Sequence, residues 1–394
     1  MYVGSAGNQF YQKNAALKDR LYLNDGKANF LKATNSLPEF FAQSSCVKAA
    51  DFDQDGDLDL FIGNRSIPVS YGMFPDSYLL INQGNGSFEL AGKEIIELEK
   101  LGMITDASWS DTDSDGDMDL IVVGEWMPIR IFNNEGGKFS SGSPAFGFEG
   151  NSNFKPSGWW SSIESADLDG DGDEDWVLGN FGMNSNLQPS SEEPIRLYIN
   201  DFDKNLSKDP ILTYYRQGKE YPIAGFDELS TQLVMLKKRF RQYSKFANSS
   251  LDQIFTEEEL NASVKRKVDF FYSVIVWNEG GSFRMEKLPD AAQYAPIYSI
   301  LISPPETNKP VEIWLGGNLY DIQPSIGRLD GNQGLRLIGK KEGERMVYES
   351  HQLGWKGQLR DIKLLKANEQ SYLLLGRNDE ALQVYKLRDE HEEL

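Results

Sequence analysis

One acidic stretch is written four times in this chain and limits what the chain can become. The first copy is Asp51, Asp53, Asp55, Gly56, Asp57 and Asp59, with Phe52, Gln54 and Leu58 between them. It recurs as Asp111, Asp113, Asp115, Gly116, Asp117 and Asp119, then as Asp167, Asp169, Asp171, Gly172, Asp173 and Asp175. A fourth, altered copy reads Asp201, Asp203, Asn205, Leu206, Ser207 and Asp209. Carboxylates at alternate positions, with a glycine where the backbone turns sharply, suit a cage of hard oxygens around one cation; calcium takes six to eight of them at about 2.3–2.6 Å. Without a cation, so many carboxylates in nine residues would repel one another. In this reading positions 1, 3, 5 and 9 give side-chain oxygens and position 7 a backbone carbonyl.

The Asp-x-Asp-x-Asp-Gly opening is shared with the EF-hand, which needs a bidentate Glu at loop position 12 and a helix on either side. Position 12 is Ile62, Val122 and Leu178 in the three intact copies. A short β-branched or aromatic run ending in glycine follows each: Leu60 to Gly63, Ile121 to Gly124, Trp176 to Gly179. The EF-hand is therefore rejected. Around each loop the same unit returns: a lead-in strand, the loop, a strand ending in Gly, then a strand ending in Asn with a Gly-rich turn, as at Tyr78 to Gly86. Four short strands per repeat of about 50–60 residues mark a β-propeller blade.

Counting the strand after each loop predicts an all-β chain: a seven-bladed β-propeller with an incomplete first blade. The counted strands are Met1 to Gly4, Leu60 to Gly63, Ile121 to Gly124, Trp176 to Gly179, Ile211 to Tyr215, Glu312 to Gly316 and Tyr372 to Gly376. In the last two blades the loops are replaced by Ser303 to Asn308 and Lys366 to Gln370, read as turns without metal. Because no strand or loop precedes Met1 to Gly4, the chain is read as a fragment of a longer polypeptide or as begun at an internal Met.

A helical stripe at Leu229, Leu233, Leu236 and Phe240 interrupts the strands, and Thr256 with Glu259 forms a capping-box pattern. Residues 226–266 are thus expected to be a helical insertion within a single domain of residues 1–394, in the fifth blade. Its Lys237, Lys238, Arg239 and Arg241 form a basic cluster in an acidic chain, read first as a solvated face and second as a contact patch.

The balance of 40 basic against 60 acidic residues argues against nucleic acid as a partner. Cys46 is the single cysteine, so no internal disulfide is possible. No apolar run reaches membrane-span length, and Met1 to Ser5 lacks the pattern of a signal peptide.

The chain resembles the FG-GAP/VCBS-repeat family of calcium-loop propellers, of which the integrin α-subunit head is a relative. More narrowly it is similar to propellers of Bacteroidetes-type surface proteins associated with the ASPIC/UnbV module. The Asp loops carry the resemblance, with Gly102 to Ala107 and Trp109, Ser157 to Ile163, Asp209 to Tyr215, and Lys219 to Pro222. The resemblance implies an extracellular or cell-surface location, Ca2+ in the loops of three blades with a fourth site possible at Asp201, Asp203, Asn205, Ser207 and Asp209, and binding or scaffolding of a glycan or protein ligand. Leu206 departs from the pattern, because Leu resists the positive φ that Gly adopts there. That loop is expected to be reshaped or weak.

Trp109, Trp176, Trp277 and Trp314 read as packing residues. Trp159 and Trp160 are adjacent and point to opposite sides of a strand, so one of them could face the central channel and stack on a sugar. Two histidines, His351 and His391, give little scope for triad chemistry, and no catalytic residue is assigned. The alternative function is a carbohydrate-active enzyme, a polysaccharide lyase or glycosidase, assembled from carboxylates and tyrosines at the propeller mouth.

Overall fold

A computed structural model describes residues 1–10, 13–41, 43–303, 310–343, 345–368 and 370–387. Most of the turn expected at Ser303 to Asn308, part of that at Lys366 to Gln370, and His391 lie outside them. The described residues form seven sheets of short strands. The first comprises Tyr2–Val3, Arg20–Asn24 and Phe30–Lys32; the second Ser44–Ala50, Asp59–Asn64, Tyr78–Asn82 and Phe88–Leu90. The third is Met103–Ser110, Asp119–Pro128, Arg130–Asn134 and Phe139–Gly142, with Ser157–Trp159 added to the far end of Asp119–Pro128. Within each of these sheets, neighbouring strands are antiparallel.

The fourth sheet departs from the expected order. Its first two strands, Ser162–Ala166 and Asp175–Gly179, continue not into the next residues but into Val274–Asn278 and Phe283–Lys287, with Trp176 opposite Val276. Residues 180–273, between the paired strands, hold a separate four-stranded sheet ordered Lys219–Pro222, Asp209–Arg216, Ile195–Asn200, Val264–Val268. The strand Ile211 to Tyr215, expected as part of a fifth successive blade, therefore belongs to a sheet inserted within the fourth. The fifth sheet (Ile297–Ile302, Glu312–Gly317, Leu335–Glu342, Arg345–Gln352) and the sixth (Leu359–Ala367, Gln370–Arg377, Gln383–Lys386) then follow in order.

Five short helices lie between Phe226 and Ala262, joining the two edge strands of the inserted sheet. The stripe Leu229, Leu233, Leu236 and Phe240 is buried against Tyr198, Phe202 and Phe255. The capping box forms: Glu259 N donates to Thr256 Oγ1 at 3.3 Å while Thr256 N donates to the Glu259 carboxylate at 2.7 Å. The basic residues 237, 238, 239 and 241 are exposed.

Consecutive sheets stand face to face, and apolar clusters fill the gaps between them. Phe61, Leu79, Ile104 and Leu120 lie between the second and third sheets; Ile121, Trp160, Trp176 and Val276 between the third and fourth; Val177, Ile275, Ile313 and Leu335 between the fourth and fifth. A second strand sandwiched this way has no solvent face, which is why Asp59–Asn64 and Asp175–Gly179 are buried at every position and read as unbroken apolar runs. The first strands also stand side by side: Ser45 Oγ donates to Ile104 O at 2.6 Å, Ile163 N to the Asp106 carboxylate at 3.0 Å, and Ser162 Oγ to Ile297 O at 2.9 Å.

The glycines that end the second strands sit where the next sheet comes closest. A Cβ on Gly63 would lie 2.7 Å from Ile104 Cγ2, and one on Gly179 only 2.2 Å from Ile297 O. A backbone carbonyl cannot swing away as a side chain can. Gly179→Ala is expected to destabilise the fold by about 1–3 kcal/mol, the range for overpacked interiors, at the upper end of it; denaturant titration reads this, and a neutral result would contradict the tight sheet contact.

Candidate metal centres

Each acidic loop closes a hairpin between two antiparallel strands, and the register is the same in all four. Ala50 stands opposite Asp59, Ser110 opposite Asp119, Ala166 opposite Asp175 and Asn200 opposite Asp209. This places the position-9 carboxylate beside position 1 and folds the loop over both. Carboxylate oxygens of Asp51, Asp53 and Asp59 lie within 4.8 Å of one another, as do those of Asp111, Asp113 and Asp115, of Asp167, Asp169 and Asp175, and of Asp201, Asp203 and Asp209.

The loop backbone is held by its own carboxylates. The position-1 carboxylate accepts the position-6 N–H throughout: Gly56 N to Asp51 at 3.1 Å, Gly116 N to Asp111 at 3.0 Å, Gly172 N to Asp167 at 3.2 Å, Leu206 N to Asp201 at 2.9 Å. Position 5 accepts the position-7 N–H, so that Asp55, Asp115, Asp171 and Asn205 share one role. Leu206 does not reshape the fourth loop. It takes φ 71°, near the 93–102° of Gly56, Gly116 and Gly172, with its side chain 96% exposed. Position 4 is also left-handed, at Gln54, Ser114 and Lys204 as well as Gly170, a feature no glycine announces in three of the loops.

The position-9 residues are the buried anchors. Asp119 accepts Asn134 N at 2.7 Å and Thr112 N at 2.9 Å; Asp175 accepts Asn278 N at 2.9 Å and Leu168 N at 3.1 Å; Asp59 accepts Asn82 N at 2.7 Å. Burial is the largest influence on their ionisation: it raises Asp59 to about 6 and Asp175 to about 7, and also raises Asp119 and Asp209. Asp53, Asp113 and Asp169 are raised by burial first and by neighbouring carboxylates second. Among the described residues, buried oxygens of Asp51, Asp59 and Asp203 have no hydrogen-bond partner. Unpaired, desolvated carboxylate oxygens converging within a few ångströms fit a divalent cation.

Two position-7 side chains turn elsewhere. Asp117 accepts Gly136 N at 2.8 Å and Asp173 accepts Gly280 N at 3.1 Å, each tying its loop to the hairpin turn of its own sheet. Asp57 N donates to Asp55, but Asp57 is not among the clustered carboxylates of its loop. The same layer links one loop to the next: Gln54 Nε2 donates to Asp117 at 2.7 Å, Ser114 Oγ to Asp173 at 2.9 Å, and Asn134 Nδ2 to Phe52 O at 2.7 Å. The asparagines that end the third strands are functional in this sense, and sequence reading had marked them only as turn residues.

Among the tryptophans, Trp109, Trp176, Trp277 and Trp314 are buried between sheets, as is Trp160, while Trp159 is half-buried against Trp126, Phe181 and Phe271. Among the described residues, no helix is long and apolar enough to cross a membrane.

No curated protein matches this chain. Its similarity to solved structures is weak. An Agrocybe aegerita lectin structure, concerned with recognition of non-reducing terminal N-acetylglucosamine, aligns at 14% identity and TM-score 0.30, over 85% of this chain and 74% of the lectin. RAG in complex with one melted and one unmelted RSS aligns at 11% identity and TM-score 0.39, over 90% of this chain and 84% of that one. Neither likeness is close enough to carry an argument about ligand. A family description does match: FG-GAP-like repeat, at residues 3–62 and 111–178, segments that contain all three intact acidic loops. On the geometry of those loops and that match, this all-β chain carries FG-GAP-like repeats.

Proposed function

We propose that this chain is a calcium-stabilised binding or scaffold module of the cell surface or extracellular space, built as a β-propeller. Its six consecutive sheets are the blades, and the sheet inserted in the fourth is carried on one face. The observation that carries the reading is the repeated cage: four carboxylate clusters at one register of four hairpins, with buried oxygens left unpaired. Asp51, Asp53, Asp55 and Asp59 and their counterparts would hold Ca2+, and the ion would supply charge neutralisation that fixes the first and second strands together. A frame stiffened in this way presents its connecting loops to a glycan or a protein. The narrower kinship with ASPIC/UnbV-associated surface propellers belongs to the same reading, supported by the residue patterns Gly102 to Ala107 and Ser157 to Ile163, of which Met103 to Ala107 and Ser157 to Trp159 lie on strands of the third sheet and Ser162 and Ile163 on the first strand of the fourth.

The test is retention without turnover. With calcium present, the protein is expected to be retained by an immobilised glycan or protein partner and to release no product from it. Release of unsaturated, ultraviolet-absorbing fragments from acidic polysaccharides, or of reducing ends from neutral ones, would replace this reading with a catalytic one.

A further inference from the structure

The inserted sheet and its helices roof a cavity of about 930 Å³ at which the ends of several sheets converge. Its floor comes from the second, third, fifth and sixth sheets and the loops that join them; Leu212 and Leu229 of the insertion close it from above. Clefts of a few hundred to a thousand cubic ångströms with aromatic walls and a few fixed polar groups are where small ligands bind.

The wall is aromatic and strained. Trp126 and Trp159 meet edge to face at 5.1 Å, and Tyr71 and Tyr298 line the same space. Trp126 sits at φ 61°, a left-handed conformation costly for a bulky side chain and of the kind that concentrates at ligand sites. It is held by a relay in which Trp126 Nε1 donates to Tyr71 Oη at 3.0 Å and Tyr71 Oη to the Glu125 carboxylate at 3.1 Å, while Arg65 pairs with the same carboxylate at 2.5 Å. The half-buried Trp159 has an indole N–H with no acceptor among the described residues. Arg360 lies over the Tyr298 ring at 4.3 Å and, among the described residues, donates to the neutral oxygens of Asn318, Leu359 and Gln358.

The polar groups choose among ligand classes. An apolar ligand would take water from the Arg65–Glu125 pair and from Arg360 without offering either a further hydrogen bond. An anion is disfavoured, because Arg65 is already paired and the lining acids Glu125, Glu228 and Asp321 outnumber Arg65 and Arg360. A sugar ring fits both demands: its C–H face stacks on indole and phenol, while its hydroxyls accept from guanidinium and donate to carboxylate. We infer that this roofed cavity is the binding site of a neutral saccharide, with Trp159 and Tyr298 as stacking faces and Arg360 and Glu125 as orienting groups. The inference rests on the binding-module reading and gives it a location and a ligand class.

The test uses the whole chain in calcium. Tryptophan fluorescence is titrated with neutral tetrasaccharides (glucan, mannan, xylan and chitin series) and with tetragalacturonate; the same saccharides are also presented as immobilised polymers. At least one neutral series should give a saturable change, and tetragalacturonate none. Response to both formats places an internal or terminal sugar unit in the cavity; response to the free form alone makes the ligand a soluble oligosaccharide. Arg360→Gln and Tyr298→Leu should weaken binding about tenfold or more. Trp159→Ala should do the same, but Trp159 also packs against Phe271, so the first two variants carry the test. Absence of any neutral saccharide response overturns the inference, as does binding that all three variants leave unchanged. If calcium still raises the melting temperature and a protein partner is still retained, the binding-module reading survives that failure. If a bound saccharide is instead cleaved, the cavity stands and the non-catalytic reading falls.

Discussion

Stripping calcium from this protein is expected to lower its melting temperature by about 10 °C or more. At about 10 mM calcium, a hundredfold above a dissociation constant near 10⁻⁴ M, each site contributes about 2.7 kcal/mol. Three or four sites then supply roughly 8–11 kcal/mol. For a chain of 394 residues an unfolding entropy of about 2.1 cal/mol/K per residue turns each kcal/mol into a little over 1 °C. Paired melts in calcium, in magnesium and in chelator test this, and coincident curves would remove the physical support for the cages. The difference should also depend on pH. In chelator, Asp59 and Asp175 carry folded values of about 6 and 7 against an ordinary 3.8. The folded state therefore holds protons that the unfolded state has lost, and this stabilisation disappears as pH rises through 6 and 7. Calcium requires the ionised forms. Between pH 8 and pH 5 the chelated protein should gain stability from these two groups while the calcium increment shrinks, so the two melting curves should converge on acidification.

The second large effect is expected at Asp175. Its carboxylate accepts two backbone N–H groups, from Asn278 and Leu168, and its side chain is 1% exposed. Asp175→Ala leaves two buried donors unpaired, at about 1–3 kcal/mol each, and removes a cage ligand. A loss of about 5 kcal/mol in calcium is expected, with a smaller loss in chelator, where the ion's share is already gone. Asp173→Ala is the contrast. That side chain serves Gly280 N and Ser114 Oγ rather than the cluster, so about 1 kcal/mol should be lost and the calcium response kept. Equal behaviour of the two variants would mean that the ligands are not divided between side chain and backbone as described.

What could be read in advance divides by the range of the interactions. The acidic clusters were legible because alternate carboxylates within nine residues are a local pattern, and the Trp176 core because buried second strands are unbroken apolar runs. The place of Ile211 to Tyr215 was not. The inserted sheet repeats the loop, the register and the strand of a blade, and the pairing of Trp176 with Val276 leaves no mark in either segment alone. Left-handed Gln54, Ser114 and Lys204 were likewise hidden, since side chains there replace the glycine that would signal the turn. Leu206 shows the same thing from the other side: its N–H donates to the Asp201 carboxylate, which holds a conformation that its own propensity opposes. The cavity beneath the insertion was foreshadowed only in the pair Trp159 and Trp160, whose opposed directions follow from strand geometry.

The interruption of the fourth sheet also sets an order of events during synthesis. A chain emerging from the ribosome can complete the first three sheets from near neighbours, since their strands are joined by short connections. Asp175 must then wait for Asn278, 103 residues later, before its sheet can close. Loop-closure entropy over that distance is lost before any pairing repays it, and non-local strand pairing is the slow part of folding. Until then Asp175–Gly179 is an apolar strand with an open edge. The inserted sheet holds its own apolar cluster and pairs Ile195–Asn200 with Val264–Val268, so once formed it would shorten that search by bringing its two ends together.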